Sequence, residues 1–406
     1  MPKKMRKQNQ LRKTPPMEDR ISALPDEILR YILSFLPTKL AFTTSVLSKR
    51  WNPICYSLTT LHFDDKAEED VETYTRFRRF VDNVLLSPRV QHHPIETLSI
   101  VSHSELCHDL SRRFNMDEWI EAAKRRGVKN FQLSSSTIHI HLRLLPSIFS
   151  SFKTLVVLKL SGIIIEYGTV GPVDFPSLTT LHLIGVLFCQ RDGVMKILNG
   201  CPIVEDLYVT APSFELGYPT GFKPMPQVVK AHINAFNVPF NAIPNVESLH
   251  IEEIERRDKD NYINSYYRQM PVFRNLISIE LTFHRFRGWF DVVEVLPYCP
   301  NLQSLAIEKG KYRTIIEANL EHTIEPAVVP ECVSLHLRTC SVRNYPVKSM
   351  YEDFDLAAYI LQNARVLQVL TIHIDPHHST KSEKDQLFKY LSRCPKISQT
   401  CEIECY

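Results

Sequence analysis

A six-residue pattern, apolar-x-x-apolar-x-apolar, recurs along the chain. It stands at LTTLHF (58–63), IETLSI (95–100), VKNFQL (128–133), LVVLKL (155–160), LTTLHL (178–183) and VEDLYV (204–209). It returns at VVKAHI (228–233), VESLHI (246–251), LISIEL (276–281), LQSLAI (302–307), CVSLHL (332–337) and LQVLTI (367–372). In each, the closing apolar-x-apolar triplet has a period of two, so two side chains point one way and the residue between them the other, as in a short strand with one buried face. Helical segments lie between these strands, at 70–86, 117–127, 191–200, 289–299 and 352–363. A strand, a helical return and a further strand beside the first bury their faces only on their neighbours. The pattern therefore predicts an α/β fold, a curved parallel sheet with helical returns shaped as a horseshoe.

Ahead of the repeats, Leu24 to Trp51 (LPDEILRYILSFLPTKLAFTTSVLSKRW) follows a different rule. Pro25 followed by Asp26 and Glu27 has the grammar of a helix start, with carboxylates near the positive end of the dipole. Ile28, Leu29, Ile32, Leu33, Phe35 and Leu36 then make that helix apolar on more than one side. Pro37 stops it, Thr38 can cap a second, and Ser45 to Trp51 opens a third before Pro53. Three short helices fall below the roughly 40 residues at which a domain usually folds unaided. One apolar face is expected to meet the rest of the chain and another to remain for a second protein.

Charge and cysteine usage narrow the class. The formal net charge is +3, yet the first thirteen residues hold six cations (Lys3, Lys4, Arg6, Lys7, Arg12, Lys13) and no acid, which leaves the remainder near −3. A nucleic-acid-binding body is not indicated. The basic tail reads as a solvated terminus or a nuclear-import signal. None of the ten cysteines forms a C-x-x-C pair and no signal peptide precedes them, so reduced thiols in a nuclear or cytoplasmic protein are expected. No apolar run reaches the length of about 18 residues that spans a bilayer, and no membrane partner is expected.

The order L-P-D-E-I-L-x-x-I-L-S-F-L-P followed by T-S-V-L-S-K-R-W resembles the F-box, most closely its plant-type version. The repeat spacing, about 28 residues on average, is at the upper end of the leucine-rich-repeat range. The Cys-Pro pairs at 201, 299 and 394 and the segment from Trp119 to Val128 resemble leucine-rich repeats of plant F-box proteins. The tail from about Val366 through Cys401-Glu-Ile resembles the FBD module. Domains follow as a basic tail (1–18), an F-box (19–60), leucine-rich repeats (61–365) and an FBD-like module continuing the array (366–406). The resemblance implies docking on a Skp-type adaptor, and through it on a cullin, by Leu24, Pro25, Ile28, Leu29, Ile32, Leu36, Pro37, Val46, Leu47 and Trp51. Three positions depart from the family's pattern: Leu40 where Asp is common, Thr43 where Arg is common, and Cys55 where Trp often closes the motif.

A horseshoe presents the outward strand residues as one concave surface. Spacing places Lys159, His182, Tyr208, His232, His250, Glu280 and His336 on its central column as candidate target-binding residues. The histidines fit a solvated strand face; alternatively His182, Tyr208, His232 and His250 form a recognition surface for a protein segment or an anionic small ligand, with sensitivity to pH near neutrality. His373-x-Asp375-x-His377-His378 offers metal-ligating types, but Pro376 and a following polar loop argue against a site, as does the lack of a third distant ligand set. His139-x-His141 and His92-His93 are weaker still. Phosphate-loop, dinucleotide, nucleophile-elbow and H-E-x-x-H motifs are absent from the sequence. The expectation is a non-catalytic substrate receptor of a cullin-based ubiquitin ligase, with no cofactor and an unknown protein target, leaving room for a small-molecule co-ligand. The alternative is a scaffold or decoy that binds the adaptor without supporting ubiquitination.

Overall fold

The computed structural model describes residues 21, 23–66, 70–103, 116–136, 142–144, 146–150, 152–166, 172–190, 192–210, 221–234, 237–252, 270–283, 292, 295–309, 328–345, 353–374 and 381–406. Strands in chain order begin with β1 (Thr60–Asp64), β2 (Thr97–Ser102), β3 (Asn130–Ser135), β4 (Leu142–Leu144), β5 (Val157–Ser161), β6 (Ile163–Ile165), β7 (Thr180–Ile184) and β8 (Leu187–Phe188). They continue with β9 (Asp206–Thr210), β10 (Lys230–Asn234), β11 (Ser248–Glu252), β12 (Ser278–Phe283), β13 (Ser304–Lys309), β14 (Thr339–Tyr345), β15 (Val369–Ile374) and β16 (Glu402–Cys405).

Thirteen of these form one sheet among the described residues, in the order β1-β2-β3-β5-β7-β9-β10-β11-β12-β13-β14-β15-β16, and every pairing is parallel. Strand order follows chain order, as a solenoid requires. The register puts the repeated apolar residues in line: Leu61 pairs with Leu98, Leu98 with Phe131, Phe131 with Leu158 and Leu158 with Leu181. Each residue of that row is buried, and so is the residue two further on, while the one between stands on the opposite face. A second, three-stranded parallel ribbon, β4-β6-β8, runs beside the middle of the sheet. Its hinge from the main sheet is Gly162 at φ +63, where an added Cβ would lie 2.3 Å from the Ser135 carbonyl oxygen.

Three helices, α1 (Asp26–Ser34), α2 (Thr38–Thr43) and α3 (Trp51–Tyr56), cover the β1 edge. Thr38, 4% exposed, accepts a hydrogen bond on Oγ1 from the His62 N–H at 2.8 Å, satisfying a donor of the first strand. Phe42, Phe80 and Phe63 form an edge-to-face chain that ties α2 to α4 (Val71–Leu85) and β1. α4 starts in a capping box at Asp70, whose carboxylate accepts from the Glu72 and Thr73 N–H groups. The remaining returns include α5 (Met116–Arg125), α6 (Gly193–Asn199), α7 (Glu331–Leu335), α8 (Asp353–Asn363) and α9 (Lys381–Arg393).

The recurring motifs have local causes. In all three Cys-Pro pairs the thiol reaches back to the carbonyl four residues earlier: Cys201 to Ile197 at 3.1 Å, Cys299 to Val295 at 3.6 Å and Cys394 to Tyr390 at 3.5 Å. The thiol thus donates to a carbonyl of the closing turn, at Ile197 and Val295 beside a backbone N–H already bound there, while the proline forbids the turn to continue. In the Trp119 to Val128 segment, Trp119 donates from Nε1 to Asp82 at 2.8 Å, joining α5 to α4. Arg126, 5% exposed, donates to the carbonyls of His93 and Val84, and Gly127 supplies the left-handed turn at φ +68 that ends the helix.

Two local expectations are corrected. CVSLHL (332–337) is a helix followed by a turn, not a strand; Pro330 precedes α7, and the strand begins at Thr339. Leu337 is buried, but as the residue leading into β14. The third helix does not open over Ser45 to Trp51 ahead of Pro53: a single 3-10 turn spans Thr44–Val46, and α3 starts at Trp51 with Pro53 in its first turn, where proline is tolerated. The last strand, β16, and the β4-β6-β8 ribbon lie outside the repeat pattern read from sequence. The basic tail and most of His373-x-Asp375-x-His377-His378, with His139 and His141, lie outside the described residues.

Candidate functional site

Two surfaces concentrate candidate functional side chains, exposed on the first and half-buried on the second, and they lie on different parts of the array. The first is built on α1 to α3. Arg50 fastens its two ends: Nη2 reaches Asp26 Oδ1 at 2.6 Å and the Leu24 carbonyl at 2.6 Å, and Nε donates to the same carboxylate at 3.1 Å. The L-P-D-E start and the K-R-W end are therefore one unit in space. Leu29 and Leu33 on α1, Ala41 on α2 and Trp51, Ile54 and Cys55 on α3 point into the protein core.

The opposite side carries Ile28, Ile32, Leu36, Leu40, Val46 and Leu47, all exposed, with Val46 at 84% and Leu47 at 68%. Tyr31 and Phe35 extend the ridge and meet edge-to-face at 4.8 Å. Clusters of this kind mark interaction sites rather than ordinary surface. Of the ten residues expected to meet an adaptor, Pro25, Ile28, Ile32, Leu36, Pro37, Val46 and Leu47 are exposed and Leu24 is half-buried. Leu29 and Trp51 are corrected: at 0% and 4% exposure they hold the helices onto the array and offer nothing to a partner. Tyr31, Phe35 and Leu40 are ridge residues that the family pattern had not singled out.

The three departures are also explained. Leu40 adds apolar area to the ridge. Thr43 donates its hydroxyl to the Leu40 carbonyl at 2.7 Å, and the buried Cys55 thiol donates to the Ala41 carbonyl at 3.0 Å. These last two act within the helical unit.

The second surface is the concave face. Register places Lys159, His182, Tyr208, His232, His250 and Glu280 on consecutive rungs from β5 to β12. His336 is corrected: it follows α7 and is not on the column, where the β14 rung is Ser341. Tyr208 and His232 approach to 3.8 Å between ring centroids, His232 and His250 stack at 3.8 Å with 27° between planes, and His182 stands 5.6 Å from Tyr208. Each imidazole has a polar partner through Nε2: His182 with Asp206 at 3.2 Å, His232 with Glu252 at 3.2 Å and His250 with the Thr282 hydroxyl at 2.8 Å. Arg343 donates to Glu280 at 2.7 Å and lies 4.0 Å from Glu308.

Burial pushes the His250 pKa down to about 4, with the adjacent His232 acting in the same direction and Glu280 and Glu252 against it. Burial also lowers the His182 pKa, opposed by Asp206. The Tyr208 hydroxyl is raised by burial and by the Glu252 charge. Burial thus works against protonation of His182 and His250.

A third cluster went unnoticed in the sequence. Asp64, His103 and Ser136, at the exits of β1, β2 and β3, come together with Ser136 Oγ 2.6 Å from His103 Nδ1 and Asp64 3.5 Å from Nε2. Beside them the buried Asp65 accepts from Ser102 at 2.9 Å. The group clasps the ends of three strands. Among the described residues no group of three His, Cys, Asp or Glu is placed to hold a metal ion, and no helix is long and apolar enough to cross a membrane.

Comparisons with known proteins agree with this architecture. The F-box domain model matches residues 21–62, the repeat model described as "FBD-associated F-box protein At5g56370, LRR repeats" matches 116–222, and the FBD model matches 325–372. The FBD match lies largely ahead of the 366–406 segment in which the sequence placed that module. The chain thus carries segments similar to an F-box, to the leucine-rich repeats of an FBD-associated F-box protein and to an FBD module. Relatives in Arabidopsis thaliana are named for some or all of these parts. FBD-associated F-box protein At4g10400 is 29% identical over 95% of this chain and 99% of its own length, and F-box/FBD/LRR-repeat protein At5g56420 is 28% identical over 95% and 98%. F-box protein At4g09920 is 36% identical over 47% of this chain and 58% of its own length.

Proposed function

We propose that the chain is the substrate-recognition subunit of a cullin-based ubiquitin ligase, its helical ridge docking on a Skp-type adaptor and its repeats holding the target protein. The observation that carries this reading is the division of α1 to α3 into a buried face, which joins them to the sheet, and an exposed apolar ridge led by Val46 and Leu47. A rigid junction of that kind fixes the distance between a docked adaptor and a target on the concave face. The contribution is then proximity: a target lysine held near a charged conjugating enzyme reacts at high effective concentration, and no catalytic group is needed in this chain.

The test is reconstitution of the full chain with a Skp-type adaptor, cullin and conjugating enzyme, with a captured target. Formation of the complex and target ubiquitination are the expected results. A complex that assembles but leaves its target unmodified would favour a scaffold or decoy. No complex at all would remove the ligase reading. The basic tail is assigned to nuclear import, and residues 1–20 fused to a reporter should concentrate it in the nucleus; an even distribution would reject that role.

A further inference from the structure

The receptor reading leaves open what kind of target segment the concave face takes, and the hydrogen-bonding state of the ring column narrows it. An ionised carboxylate only accepts, so an imidazole nitrogen bonded to one carries the proton. His182 Nε2 lies 3.2 Å from Asp206 and His232 Nε2 3.2 Å from Glu252, which sets both neutral rings as the tautomer protonated on Nε2. Nδ1 of each is then a lone pair. Burial favours the neutral form at His182.

Tyr208 stands between these two rings, paired in register with His182 on one side and His232 on the other. Among the described residues none bonds its hydroxyl, and none bonds Nδ1 of His182 or of His232. His250 differs, with Nε2 on the Thr282 hydroxyl and Nδ1 3.9 Å from Glu280. Three consecutive rungs, on β7, β9 and β10, therefore present an acceptor, a hydroxyl and an acceptor on half-buried side chains. A ligand that displaces water there without replacing its hydrogen bonds loses affinity.

That requirement sorts the ligand classes. An ionised carboxylate has no proton to give Nδ1, which sets aside an anionic ligand of that kind. An apolar side chain leaves all three groups unpaired. Charge by itself selects no ion, because Asp206 acts on His182 in one direction and Lys159 and Lys230 in the other. An ammonium brings donors alone, while Tyr208 has a proton of its own to place. A carboxamide brings a donor and an acceptor on separate atoms, suited to neighbouring rungs.

We infer that the concave face over β7 to β10 takes a target segment bearing asparagine or glutamine, whose carboxamides donate N–H to Nδ1 of His182 and His232 and accept the Tyr208 proton on their carbonyl oxygens. The inference rests on the receptor reading for its biological meaning, but its chemistry is testable separately.

The test uses the full chain and four fluorescent Gly/Ser peptides in an anisotropy titration at neutral pH, one studded with Gln, one with Glu, one with Lys and one left unsubstituted. The Gln peptide is expected to bind about tenfold more tightly than the others. Tyr208→Phe removes only the hydroxyl, and His182→Gln keeps a donor for Asp206 while deleting Nδ1. Each should weaken Gln-peptide binding by about threefold to tenfold with an unaltered thermal midpoint. His62→Gln, on β1, should bind as the unaltered chain does. Nitrogen NMR of the histidine-labelled chain should show His182 and His232 protonated on Nε2, with the Nδ1 signals moving when the Gln peptide is added. Equal binding of the four peptides, preference for Glu or Lys, binding of none, protonation on Nδ1, or unchanged binding by either variant would overturn the inference. Adaptor binding measured on the same samples separates the two ideas. Gln selectivity without adaptor binding sinks the receptor reading alone, and adaptor binding without Gln selectivity sinks this inference alone.

Discussion

Single side chains in this protein are placed by the period of the sheet and then acquire properties that spacing does not convey. His250 illustrates both steps. Its outward position follows from the V-E-S-L-H-I hexad, but its pKa near 4 follows from a stacked His232 and from burial on the concave face. Its folded-state pKa is depressed, so between pH 6.5 and about 4 the unfolded chain binds the additional proton, and stability falls as pH falls through that window. The variant His250→Gln should flatten that part of the stability profile, read from denaturant midpoints at a series of pH values, and an unaltered slope would contradict the assignment. His336 shows the opposite limit of sequence reading. C-V-S-L-H-L fits the strand period, but Pro330 favours a helix start and α7 takes the segment, so the periodic residues serve a turn of helix instead.

At the scale of elements, the N-terminal helices divide their apolar residues between two duties. Sequence showed that α1 was apolar on more than one side; which side met the core depended on the Arg50 clamp and on β1, contacts made over 24 and more positions of chain. Leu29, fully buried, and Leu47, 68% exposed, should therefore respond differently to substitution. Leu29→Ala should destabilise by about 2–5 kcal/mol through loss of packing and the cavity left behind. Leu47→Asp should leave the thermal midpoint nearly unchanged while weakening adaptor capture. Equal effects of the two variants on stability would show that the two faces have been assigned wrongly. The Cys-Pro pairs belong to this scale as well: legible as a recurring motif, they acquire a reason only once each thiol is seen on the carbonyl four residues back.

The whole molecule is a one-dimensional stack whose first edge is closed by the helical module. The strand count and parallel order were largely legible because each repeat carries its own period-two signal. β16 and the small β4-β6-β8 ribbon were not, since two to four residues are too few to establish a period. Closure of the β1 edge by Thr38 and the Phe42-Phe80-Phe63 chain makes the docking module a cap of the array as well as its connector. A chain starting at residue 59 should accordingly self-associate in size-exclusion chromatography, through an uncovered strand edge and Phe80. A monomer with the thermal midpoint of the full chain would argue against the capping role. The central claim, that the exposed ridge of this module carries the array onto a Skp-type adaptor, is tested most directly by calorimetric titration of the adaptor into the full chain and into its Val46→Asp/Leu47→Asp variant. The account predicts one-to-one binding by the unaltered chain, weakened more than about tenfold in the variant with no loss of fold. Absence of binding, or equal binding by both, would contradict it.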